Sequence, residues 1–174
     1  LDPETERVTF TLSRALSAEA HLRIRFTGVL NDKLRGFYRS TFTDTNGIEQ
    51  VIATTQFEAT DARRAFPCWD EPDHKASFAI SLIVDEELFA VSNAREISRT
   101  AAPNRLGKHI VRFAETIVMS TYLVAFIVGP LEATDPIENI TALGRVNCIH
   151  YELGVVSVSR VQFSFSKFLR NTNF

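Results

Sequence analysis

Most of this chain alternates apolar and polar residues with a period of two, which fits an extended strand buried on one face and little else. Val8, Phe10 and Leu12 alternate with Thr9 and Thr11, and Leu22, Ile24 and Phe26 alternate with His21, Arg23 and Arg25. A third extended run spans 36–43 and ends near Asn46-Gly47, a pair that favours a hairpin because both residues accept positive φ. The predicted return strand is 49–55. Ala76, Phe78, Ile80, Leu82 and Val84 then share one face, and further strands are predicted over 89–93, 110–113 and 121–128. Turns recur about every ten residues and no long amphipathic helix precedes residue 140, so the expected class is all-β, a curved antiparallel sandwich or saddle. In the tail, Val158, Val161, Phe165, Phe168 and Leu169 fall at helical spacing, while Val161, Phe163 and Phe165 also alternate as a strand would. The expectation there is a short C-terminal helix whose apolar face has no partner within the chain.

With 174 residues, 45% of them hydrophobic and 23% charged, the chain can bury one real core. Its formal net charge of -2, without a basic stripe, argues against nucleic acid as a partner. The longest apolar run, YLVAFIVG from Tyr122 to Gly129, is far short of the roughly 18 residues of a membrane span. It is therefore read as a buried strand. Leu1 stands where a methionine would begin a complete chain, so the sequence is expected to be trimmed from something longer. Cys68 and Cys148 form no CxxC pair and are expected as two reduced thiols, which favours a cytoplasmic setting over a secreted one. The sequon Asn139-Ile140-Thr141 would matter only in a secreted protein.

One stretch departs from the strand pattern. TTQFEATDARRAFPCWDEP, residues 54–72, sets Glu58, Asp61, Arg63, Arg64, Asp70 and Glu71 among Phe57, Phe66, Cys68 and the single tryptophan, Trp69. A solvated loop does not need the aromatics, and a core segment does not tolerate unpaired charge. A short helical turn over 61–66, stopped by Pro67, would bring Arg63 and Arg64 towards Asp70 and Glu71, whose carboxylates suit the guanidinium fork. The charges would neutralise one another while the aromatics anchor the bend. Gln56 and Glu58 flank Phe57, so on an extended backbone they share one face and Phe57 takes the other. Read from the residues alone, they fit a surface pair at a strand end as readily as a recognition edge. A partly buried carboxylate there could hold an ammonium group through charge-assisted hydrogen bonds. His21, His74, His109 and His150 have no metal-ligand spacing, so no metal site is expected in the chain. Cys68, with no neighbouring histidine, is read as buried rather than reactive.

The strings GFYRSTFTDTNG, ATTQFEATDARRAFPCWDEP, KASFAISL, VSN and VMSTYLVAFIVG resemble the amino-terminal domain of zinc aminopeptidases of the aminopeptidase N and puromycin-sensitive group. The resemblance covers residues 1–136, and 137–174 read as a divergent tail, a remnant of the start of a catalytic domain. It implies a β-saddle that packs on a thermolysin-like catalytic domain as partner. It also implies that Gln56 and Glu58 line the pocket for the first residue of a peptide substrate, the carboxylate helping to hold the amino terminus. Zinc belongs, in this resemblance, to the His-Glu-x-x-His motif of the catalytic domain, and no His-Glu pair occurs in this sequence. Glu58 would thus position substrate rather than act as the base, no cofactor is expected on this chain, and the chain alone is expected to be inactive. The alternative is a stand-alone truncated paralogue that binds peptides or proteins without cutting them. An adhesion or carbohydrate-binding sandwich fits the fold alone.

Overall fold

The computed structural model describes residues 1–13 and 21–131. Nine strands in three antiparallel sheets make up the described part, and its only helical turns are two short 3-10 segments, Ala62–Arg64 and Thr121–Leu123. The expected all-β class is what is found.

Strand β1 (Gly36–Thr43) pairs with β2 (Glu49–Gln56) in unbroken register from Thr43↔Glu49 to Gly36↔Gln56. The connection is longer than the two-residue turn that Asn46-Gly47 suggested. Asp44 organises it: its Oδ1 accepts the backbone N–H of Asn46 and of Ile48, both at 2.9 Å, and its Oδ2 accepts Gln50 Nε2 at 2.8 Å. Only Gly47 there takes positive φ, at 77°. A carboxylate satisfying three donors replaces the backbone twist that a tight turn would need.

The four-stranded sheet continues β1-β2-β9-β5, with β5 at Phe89–Ser92 and β9 at Phe126–Gly129. A three-stranded sheet, β4-β7-β6, is built from Ser81–Asp85, Lys108–Phe113 and Glu96–Ala101. Short β3 (Lys75–Ala76) and β8 (Met119–Ser120) pair with each other. Phe78, Ile80, Leu82 and Val84 are all 2% exposed or less, although only the last two lie in a strand. The alternation predicted over 76–84 survives outside β4 because cross-chain bonds hold the backbone extended. Phe113 N–H donates to the Ile80 carbonyl (3.0 Å), and Thr116 N–H donates to that of Phe78 (3.1 Å). These side chains join Ala53, Phe57, Phe66, Val111, Phe126 and Val128 in a single core.

Two predicted strands are not formed. Residues 8–12 and 21–26 make no ladder, and Val8, Phe10, Leu12, Leu22 and Ile24 are exposed. Alternation specifies which face a strand would bury, but the strand itself needs a partner to accept its backbone bonds, and none of the described residues supplies one. Strand β6, by contrast, was not anticipated, because EISRTA at a sheet edge has no apolar face to advertise it. The predicted strand over 121–128 is broken by the second 3-10 segment and resumes as β9. The predicted tail helix, Cys148, His150 and the sequon lie outside the described residues.

Gly36 joins this scaffold to the charged bend. Its φ is +68°, and a Cβ built there would lie 2.7 Å from Arg64 Cβ. Gly47 also has positive φ, but a Cβ there would meet nothing within 4 Å. In urea denaturation of the chain, Gly36→Ala should therefore cost about 2–4 kcal/mol, strain plus overpacking, and Gly47→Ala only about 1–2. Equal costs would show that the contact with Arg64 is not tight.

Candidate functional site

The bend begins where β2 delivers Gln56 to its end. Phe57 turns inward and is 2% exposed, with its ring 5.8 Å from that of Phe66 and 6.2 Å from that of Phe126. Burial of each of these phenylalanines contributes about 2–3 kcal/mol. Gln56 and Glu58, on either side, are both exposed. Phe57 is buried and its two neighbours are exposed, but Glu58 is open to solvent where partial burial was expected, because no described residue covers that edge.

After Glu58 the chain folds back on itself. Asp61 N–H donates to the Phe57 carbonyl at 2.9 Å, and Arg64 N–H donates to the Asp61 carbonyl at 3.1 Å, leading into the 3-10 turn Ala62–Arg64. Pro67 follows Phe66 and removes the next donor.

The charges then pair. Asp70 is buried, with its side chain 3% exposed, and its Oδ2 accepts both the Arg63 backbone N–H (3.0 Å) and Arg63 Nε (2.9 Å). A third bond runs from Arg63 Nη2 to the Asp70 carbonyl at 3.3 Å. The Asp70 hydrogen bond holds the Arg63 guanidinium above its ordinary value. Such charge-assisted bonds contribute about 1.5–3 kcal/mol each, and loss of one partner strands the other in low dielectric. Arg64 Nε donates to Asp61 Oδ1 at 2.5 Å, a half-exposed pair worth about 0–1 kcal/mol.

Glu6 spans the two arginines, 3.5 Å from Arg63 and 3.8 Å from Arg64. Glu71 does not join them. It faces Arg7 at 3.7 Å, with both side chains well exposed. Trp69 is 43% exposed, so the indole is not among the core aromatics. Its backbone is what is fixed, since Thr121 Oγ1 donates to the Trp69 carbonyl at 2.8 Å. Ser120 Oγ donates likewise to the Pro72 carbonyl at 2.5 Å. Buried Ser120 and Thr121 thus stitch the turn to β8, a role that no local pattern in the sequence reveals.

Of the six charged side chains between Glu58 and Glu71, five pair within the chain. Glu58 forms no hydrogen bond or ion pair with any described residue. The edge that the bend presents therefore carries one uncompensated carboxylate beside an amide.

Among the described residues, ligand atoms of Glu71, Asp73 and His74 lie within 4.8 Å of one another. Both carboxylates are exposed, and His74 Nδ1 already faces Asp73 Oδ1 at 3.2 Å. This trio does not fit a catalytic zinc centre, which takes an oriented imidazole-rich ligand set and leaves one position open. Among the described residues, no helix is long and apolar enough to cross a membrane.

An all-β domain whose ion-paired bend displays a polar edge is the architecture defined so far. Residues 1–123 match the peptidase M1 N-terminal domain, and the chain belongs to that family. It is 53% identical over 115 residues to a puromycin-sensitive aminopeptidase of Caenorhabditis elegans, which takes in 66% of this chain and 12% of the relative. Identity is 48% over 132 residues with aminopeptidase 2 of Candida albicans, covering 75% of this chain and 14% of that one. It is also 48% over 130 residues with aminopeptidase M1 of Arabidopsis thaliana, covering 73% and 14%. The chain thus spans only a small part of the length of these relatives.

The thiol of Cys68 is pushed up to about 12, chiefly by burial, with the Asp70 charge adding and Arg63 opposing. A folded value above the unfolded one means that the neutral thiol stabilises the fold fully below the unfolded value of 9.0, and that this contribution is lost as pH rises towards 12. Cys68 is only partly buried, so in a Cys148→Ser background at pH 8 iodoacetamide should modify it in the folded chain at least about 100-fold more slowly than in the urea-unfolded chain, and urea midpoints should fall above about pH 9. Rapid alkylation of the folded chain would contradict this reading.

Proposed function

We propose that this chain is the non-catalytic amino-terminal domain of a zinc aminopeptidase, and that its bend supplies one wall of the pocket for the substrate's free amino terminus. The observation that carries this reading is the lone Glu58 carboxylate on an edge whose other charges are spoken for. An α-ammonium is the complement of such a group. It brings three donors and a full positive charge, and Glu58 with Gln56 beside it offers acceptors on one face. A carboxylate in open water binds an ammonium weakly. The affinity would arise once a second body closes over the edge and excludes solvent.

That second body, in this reading, is a thermolysin-like catalytic domain that packs on the β domain of residues 1–136, and 137–174 are a divergent remnant of its start. Exposed Trp69, Ile117, Val118 and Leu123 give the chain apolar surface for such a partner. The catalytic zinc would activate the attacking water, while Glu58 and Gln56 fix the amino terminus so that only the first peptide bond reaches it. The relatives named aminopeptidases, each several times longer than the matched segment, support the same assignment. The setting proposed is cytoplasmic, and the chain alone would turn over no aminoacyl substrate.

Steady-state kinetics of the intact aminopeptidase containing this domain test the proposal. Glu58→Ala removes a charge-assisted contact and should raise KM for peptides with a free amino terminus roughly 10- to 100-fold, with a smaller effect on kcat. Unchanged KM and kcat would overturn the assignment.

A further inference from the structure

We propose that Asp61, held by Arg64, is the positioning residue that sets where the Glu58 carboxylate stands. The inference rests on the reading of Glu58 given above and adds to it a division of labour within the bend. Asp70, buried, and Arg63, partly exposed, form the multiply bonded pair on which folding depends. Asp61 and Arg64 form a half-exposed pair that adds little to folding, yet they enclose the segment that carries Glu58.

The enclosure is a closed circuit of contacts. Asp61 N–H donates to the Phe57 carbonyl and so spans Glu58, Ala59 and Thr60, all three exposed and without core contacts to hold them. Asp61 also accepts Arg64 Nε through its carboxylate and Arg64 N–H through its carbonyl. The stem of Arg64 rests against Gly36, where an added Cβ would meet Arg64 Cβ at 2.7 Å and the Asp61 carbonyl at 3.5 Å. Gly36 in turn is the register partner of Gln56. The circuit Gln56, Gly36, Arg64, Asp61, Phe57 therefore ties both candidate binding residues to one small ring of contacts, with Glu58 next to its last member.

Nothing else in the described chain holds the Glu58 side chain, so its position follows the backbone that Asp61 closes. Freeing the Asp61 side chain from Arg64 removes the brace on the Asp61 N–H bond to Phe57 and lets the span 58–60 shift, and displacement by about an ångström is enough to lose most of a positioned interaction.

The test is a cycle of variants in the intact aminopeptidase containing this domain: Glu58→Ala, Asp61→Asn and the double variant. KM, kcat and thermal midpoint are measured for each. Asp61→Asn keeps the side chain's shape but removes the charge that holds Arg64. It should raise KM roughly 3- to 10-fold with kcat and thermal midpoint nearly unchanged, and add little once Glu58 is already alanine. Arg64→Ala, which breaks the pair from the other side, should reproduce the effect if Asp61→Asn fails to fold. A full Asp61→Asn effect persisting in the Glu58→Ala background would overturn the positioning role and leave the Glu58 assignment standing. No effect of Asp61→Asn or Arg64→Ala on KM, while Glu58→Ala does raise it, would do the same. No effect of Glu58→Ala would remove both.

Discussion

Asp70 is a carboxylate taken almost wholly out of water, and the bend takes the form that pairs its Oδ2 with Arg63, while its buried Oδ1 has no hydrogen-bond partner among the described residues. An ionised group at 3% exposure needs fixed donors, and Arg63 provides two from one residue, its backbone N–H and its guanidinium. For both to reach one oxygen, the backbone at Arg63 has to turn inward while the chain from Pro67 to Asp70 returns alongside it. The 3-10 turn, the stop at Pro67 and the inward seating of Phe57 and Phe66 are mutually consistent with that one requirement. Ser120 and Thr121 hold the carbonyls on either side of Asp70 and complete the closure.

With the buried charge settled, the remaining groups sort by exposure. Asp61, Arg64 and Glu6 pair at the surface, and Glu71 turns away to Arg7. Glu58 is left over. In the reading proposed above, this unpaired and exposed carboxylate is the group that meets the substrate's ammonium.

The legible parts of the fold were those in which a residue's neighbours in sequence decide its environment. Alternation over 36–55 and 76–84 marked a hairpin and a buried face because each strand finds its partner among the described residues. The same alternation over 8–12 and 21–26 produced no strand, since periodicity carries no information about a ladder partner. Strand β6 was invisible for the converse reason: it is held by backbone bonds to β7 and buries no apolar face of its own. At the bend, pairing of arginine with a carboxylate of the Asp-Glu-Pro turn followed from side-chain chemistry, and so did the inward seating of Phe57 between two exposed neighbours. The choice of Asp70 over Glu71 did not, because it depends on which carboxylate the tertiary structure buries. Nor did the roles of Ser120 and Thr121, whose bonds to Pro72 and Trp69 cross 48 and 52 residues of sequence. For Trp69 the sequence shows neither its partial exposure nor the bond from Thr121 that holds its carbonyl across the fold.

The coupling between Arg63 and Asp70 holds the bend together, and a double-mutant cycle reads it directly. Arg63→Ala, Asp70→Ala and the double variant are unfolded in urea alongside the parent chain. A multiply bonded pair with its carboxylate buried predicts a coupling of at least about 2 kcal/mol, with the double variant far less destabilised than the sum of the two single ones. A coupling below about 0.5 kcal/mol, typical of an exposed pair, would contradict the account.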